Sequence, residues 1–128
     1  PYTNVIVNKL DFDTKNNIAQ GDAKLEKTKI QLLDINNYLI AEKITKEDGT
    51  VTFENIGYGT YYIKEVTPGE GYLLNTEKIM IEVDSNIEIV NFYNQVKKNE
   101  IVFKKYLFKF FKKDIFAIVF DHNSYTLN

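Results

Sequence analysis

Hydrophobic residues along this chain alternate with polar ones in short runs rather than in helical stripes. Val5 and Val7 alternate with Ile6 and Asn8, and Val51 and Phe53 alternate with Thr50, Thr52 and Glu54. A period of two places such residues on opposite faces of a strand. The pattern predicts strands over residues 5–10, 28–33 (TKIQLL), 38–44 (YLIAEKI), 50–54, 60–66, 78–83 (KIMIEV) and 87–94 (IEIVNFYN). Glu47-Asp48-Gly49 is a hairpin-turn signal, and Asn55–Gly59, Thr67–Gly71 and Asp84-Ser85-Asn86 read as loops or turns. Gly57, Gly59, Gly69 and Gly71 read as turn glycines with positive φ. Gly21–Lys27 carries a weak helical-turn signal. About seven short strands with polar turns and no amphipathic helix predict an all-β fold, an antiparallel β-sandwich.

After residue 98 the pattern stops. Residues 99–128 are dense in Phe and Lys and follow neither period. The chain is therefore read as a β-sandwich over 1–98 and a Lys/Phe-rich segment over 99–128. Lys105 follows Ile101 and Phe103 much as Lys9 follows Val5 and Val7, so this segment reads as a truncated or degenerate second repeat. A Lys/Phe-rich segment resting on an anionic membrane is the rival, disfavoured because no clean helical period supports it. The chain begins with Pro1 rather than Met, which reads as a fragment or a processed product.

Composition narrows the chemistry. With no cysteine, there is neither a disulfide framework nor thiol chemistry. A single histidine, His122, all but excludes a histidine-based metal site, and no metal or cofactor is expected. A net charge of −2 argues against nucleic acid as a partner. The apolar run Ile115–Phe120 is too short to span a bilayer. No nucleophile–base pair and no paired acids are evident, so an enzyme is not expected.

Three polar residues fall on faces that otherwise read as core. Lys9 is in phase with Val5 and Val7, Glu65 with Tyr61 and Ile63, and Asn94 with Val90 and Phe92. Lys and Glu are almost never buried without partners. Each has an ordinary alternative: Lys9 can snorkel from a strand edge, Glu65 can pair with Lys64 or Lys78 in solvent, and Asn91 on the opposite face rivals Asn94. Asp11 reads as an ordinary turn aspartate. Tyr61, Tyr62 and Tyr72 read as core and rim aromatics.

These residues sit in a recognisable frame. VIVNKLDFDT, GDAKLEKTKIQLLD, DGTVTFENIGYGTYYIKEVTPGEGY and IEIVNFYN together resemble a Cna B-type (SpaA-like, pilin-type) repeat of Gram-positive surface proteins, over roughly residues 4–98. The resemblance implies a prealbumin-like, inverse immunoglobulin-like sandwich. It also implies an intramolecular isopeptide bond, with Lys9 as amine, Asn94 as acceptor carboxamide and Glu65 as proton shuttle. The expected role is a stalk or spacer repeat of an adhesin or pilin on the bacterial cell surface or cell wall, outside the cell. Its partners would be neighbouring repeats, with a host extracellular-matrix ligand for the parent protein. The alternative is a surface module that binds a host protein or glycan through its loops, for which Gly57-Tyr58-Gly59 is the candidate.

Overall fold

A computed structural model describes residues 1–98. The segment 99–128, with Lys105 and His122, lies outside the described residues. Seven strands follow in order: β1 (Tyr2–Asp11), β2 (Lys29–Asp34), β3 (Leu39–Ile44), β4 (Thr50–Gly57), β5 (Gly59–Thr67), β6 (Lys78–Val83) and β7 (Glu88–Asn94). They form two sheets, ordered β4-β1-β7 and β3-β2-β5-β6. The expected all-β sandwich is what the described residues adopt.

One pairing differs from the antiparallel expectation. β1 and β7 run parallel, with Val7 opposite Val90, Lys9 opposite Phe92 and Asp11 opposite Asn94. Parallel neighbours need a long crossover rather than a hairpin. Here the crossover is nearly the whole domain, which passes through the opposing sheet before returning. The first and last strands therefore lie side by side.

β4 runs further than expected, into the predicted Asn55–Gly59 loop. Ile56 is buried and pairs with Thr3, while Phe53 pairs with Val5, so the register shifts by a bulge between them. The shift absorbs Asn55, whose φ of 55° would interrupt a regular strand and whose amide is held by the Asn4 side chain at 3.1 Å. Gly21–Lys27 forms turns rather than a helical segment.

The inward residues of both sheets make one core. Val5, Val7, Val51, Phe53, Val90 and Phe92 face Ile30, Leu32, Ile63, Ile81 and Val83. A smaller cluster of Leu25, Tyr72 and Val96 closes one end, where Tyr72 bridges to Val96.

The glycine expectations divide. Gly59 (φ 149°) and Gly71 (φ 83°) have positive φ; Gly57 and Gly69 do not. Gly57 is the last residue of β4. Gly69 is required for space: a Cβ there would overlap the Lys24 carbonyl oxygen, while Lys24 N–H donates to Glu70 O at 2.8 Å. Both contacts are backbone and cannot rotate away. Gly69→Ala is expected to destabilise the fold by about 1–3 kcal/mol, as overpacking does, read from the urea midpoint at unchanged slope. An unchanged midpoint would show that the turn yields freely.

Candidate functional site

The site begins with the alternation of β1. Since Val5 and Val7 point inward, Lys9 and Asp11 must as well, and the parallel register with β7 sets Lys9 diagonal to Asn94. Glu65 reaches them from β5 in the opposing sheet, where it pairs with Ile30. All three side chains are sealed in: Lys9 is 1%, Glu65 2% and Asn94 2% exposed. Lys9 does not snorkel and Glu65 does not face solvent. Asn91 lies on the outer face, exposed, and accepts a hydrogen bond from Asn8 Nδ2 at 3.2 Å. Of the two asparagines, Asn94 is the one beside Lys9.

The contacts among the three are specific. Lys9 Nζ touches Asn94 Oδ1 and lies 3.1 Å from Glu65 Oε1. It also sits 4.3 Å from the centre of the Phe92 ring. Glu65 Oε2 accepts from Asn94 Nδ2 at 2.7 Å and from the Asn75 backbone N–H at 2.9 Å. Asn94 Nδ2 gives its other hydrogen to Leu73 O at 2.9 Å. With both amide hydrogens engaged, Oδ1 must face Lys9, so the amide is oriented by its neighbours. Glu65 Oε1 has the Lys9 amine, 3.1 Å away, as its ion-pair partner. Burying a carboxyl and an amine together is costly even when they are paired.

Burial lowers the Lys9 pKa from 10.5 to about 8, against the opposing pull of Glu65. About a tenth of the amine is then uncharged at pH 7, against a vanishing share for an ordinary lysine, and the neutral amine is the nucleophilic form.

Asp11 is more than the turn residue it was expected to be. It is fully buried and accepts from the Asp13 and Thr14 amides at 2.8 and 3.0 Å. Gln20 Nε2 at 3.0 Å and the Tyr72 hydroxyl at 2.6 Å complete its partners. Burial alone would push its carboxyl up, but these donors, Tyr72 foremost, hold it below the ordinary value. Burial, and then Asp11, push the Tyr72 hydroxyl well up, so it stays a donor. This pair ties the end of β1 to the segment after β5 that touches Asn94. The in-phase position of Asp11 after Lys9 was a visible signal. Tyr72 as its partner was not, because sixty-one residues separate them.

Residues 3–96 match the family model for the SpaA prealbumin-like fold domain. The chain belongs to this family. Solved structures of similar fold are found among bacterial proteins. One is the Bacillus anthracis TIE protein, with 23% identity and a TM-score of 0.59 over 73% of this chain and 17% of that one. Another is BcpA, the major pilin subunit of Bacillus cereus, with 20% identity and a TM-score of 0.57 over 76% of this chain and 30% of that one. A third is the group B streptococcus pilus 2b backbone protein, with 17% identity and a TM-score of 0.60 over 78% of this chain and 43% of that one. This SpaA domain thus spans less than half the length of each. No curated protein matches the sequence significantly. Among the described residues, no helix is long and apolar enough to cross a membrane.

Proposed function

We propose that this domain is a stalk or spacer repeat of a Gram-positive cell-surface adhesin or pilus, closed by a self-formed amide bond between Lys9 and Asn94. The observation that carries the reading is the convergence of Lys9, Glu65 and Asn94 in the buried core, with the amine against the carboxamide and the carboxyl bridging both.

The reaction balances without a cofactor. The neutral Lys9 amine attacks Asn94 Cγ, so the Nζ–Cγ bond forms and the Cγ–Nδ2 bond breaks. The proton lost by Nζ passes through the Glu65 carboxyl to the departing nitrogen, which leaves as ammonia. Oε1 faces the nitrogen that loses a proton, and Oε2 faces the one that gains it. Folding supplies the effective concentration that makes amide exchange feasible. The event happens once per chain and regenerates nothing, so the domain is not an enzyme.

The pilin neighbours support an extracellular setting on the cell surface, with neighbouring repeats of the same protein as partners. A host extracellular-matrix ligand would belong to the parent protein. The test is the intact mass of the recombinant chain beside Lys9→Ala and Glu65→Ala. The wild type is expected one ammonia lighter than its sequence, with both variants at full mass and peptide mapping placing the link at Lys9–Asn94. A wild type at full mass would overturn the cross-link and leave a sandwich whose loops bind a host protein or glycan as the working reading.

A further inference from the structure

The segment between β5 and β6 lies along β7 on both sides of Asn94. Leu73 N–H donates to Gln95 O at 2.9 Å, and Asn75 Nδ2 donates to Tyr93 O at 2.7 Å. Between these two ties, Leu73 O takes a hydrogen of Asn94 Nδ2, and Asn75 N–H donates to Glu65 Oε2. Asn75 Oδ1 also accepts from Glu77 N–H at 2.8 Å, which fixes its own turn. One strap thus grips the leaving nitrogen with a carbonyl and the shuttle with an amide. Its outer side, with Phe12 and Tyr93, lines an open apolar cleft through Leu73, Leu74 and Asn75.

We propose that Asn75 is a positioning residue for Lys9–Asn94 bond formation: its side-chain amide pins the strap to β7, so that the strap orients the Asn94 carboxamide and the Glu65 carboxyl and keeps water from the cleft off Asn94 Cγ. The inference rests on the cross-link proposed above. Its physical basis is the saturation of two atoms. Asn94 Nδ2 has no free hydrogen, so Oδ1 is fixed towards Lys9. Glu65 Oε2 already has two donors, so Oε1 is left to take the Lys9 proton. With the strap loosened, the amide can rotate and water can compete as nucleophile. Water attack breaks the same Cγ–Nδ2 bond and releases the same ammonia, but forms a Cγ–O bond and leaves a carboxylate at position 94.

The two fates are separable by mass, since one removes ammonia and the other exchanges NH for O. Chains made in a short cell-free synthesis pulse, quenched in acid at intervals and mapped by peptide, give the rate and the partition. The chains compared are wild type, Asn75→Ala and Asn75→Asp. Asn75→Asp keeps the acceptor for Glu77 N–H and replaces the donor to Tyr93 O with a charged acceptor, so it decides the matter if Asn75→Ala folds poorly. Both variants are expected to cross-link about tenfold more slowly or worse, the scale of loss for small misplacements of reacting groups. Both are also expected to hydrolyse a larger share of Asn94 than the wild type does. A purely structural role would slow folding without changing that partition. Variants that cross-link at the wild-type rate and partition would overturn the role of Asn75 alone, whereas a wild type that loses no ammonia would overturn the cross-link itself.

Discussion

Asn94→Ala is expected to lower the melting temperature by about 20–30 °C and to let a pulled domain lengthen by about 300 Å where the wild type does not. The first figure follows from loop closure. Lys9 and Asn94 are 85 residues apart, and cross-linking a loop of that size removes about 4–5 kcal/mol of unfolded-state entropy in the chain-entropy model. A domain near a hundred residues melts about 4–8 °C lower for each kcal/mol lost. The second figure is the contour length of the enclosed chain at about 3.3–3.6 Å per residue. Force applied through the two ends enters at β1 and leaves at β7. With a covalent link between those strands, tension passes through it, and the strands between carry none.

Asn94→Ala also strips a donor from Glu65 Oε2 and one from Leu73 O. Melting alone therefore does not isolate the bond. Extension does, because a lost hydrogen bond cannot alter the length released. The urea slope gives an independent check: a cross-linked unfolded chain exposes less surface, so the wild type should show the smaller slope. Equal extension and equal slope in both chains would mean that no covalent link closes the domain.

The burial of Lys9, Glu65 and Asn94 was legible in the sequence because a strand has an exact period of two. Lys9 after Val5 and Val7, Glu65 after Tyr61 and Ile63, and Asn94 after Val90 and Phe92 could only be buried if the neighbouring residues were, and all three are. Phase also separated Asn94 from Asn91, which pairs with Asn8 on the outer face. Phase says nothing about which strands become neighbours. The parallel β1–β7 pairing, which sets Lys9 beside Asn94, depends on the path of the whole chain. Nor does side-chain pattern reveal backbone donors: the Asn75 amide on Glu65 and the Leu73 carbonyl on Asn94 belong to residues whose side chains gave no hint. Gly69 was misread for a related reason. Its need is for space beside Lys24, a residue brought there by tertiary structure, whereas sequence offers only the common reason for a turn glycine. At Asn55, a turn-forming residue was taken to end a strand that instead bulges around it.

Cross-linking is expected to quicken about tenfold for each pH unit below about 8 and to level off above it. The attacking group is the neutral Lys9 amine, whose pKa burial lowers from 10.5 to about 8, so its neutral fraction climbs with pH until that point and saturates beyond it. The same shift governs stability before the bond forms. Between about pH 8 and 10.5 the unfolded chain binds the Lys9 proton and the folded chain does not, so the uncross-linked fold gains stability as pH rises through that window. Below the folded value both states are protonated and the penalty for a buried ammonium is constant. Asn94→Ala, which retains Lys9 and Glu65, should therefore stabilise with rising pH across this window, by roughly 1.4 kcal/mol for each unit of separation between the two pKa values. The wild type should not, because its Lys9 nitrogen has become an amide and no longer titrates. Time courses of ammonia loss from pH 6 to 9, with urea midpoints of both chains from pH 7 to 10.5, test the two halves together. A cross-linking rate that ignores pH would remove Lys9 deprotonation from the slow step. A wild type that stabilises in parallel with Asn94→Ala would mean that its Lys9 is still a free amine.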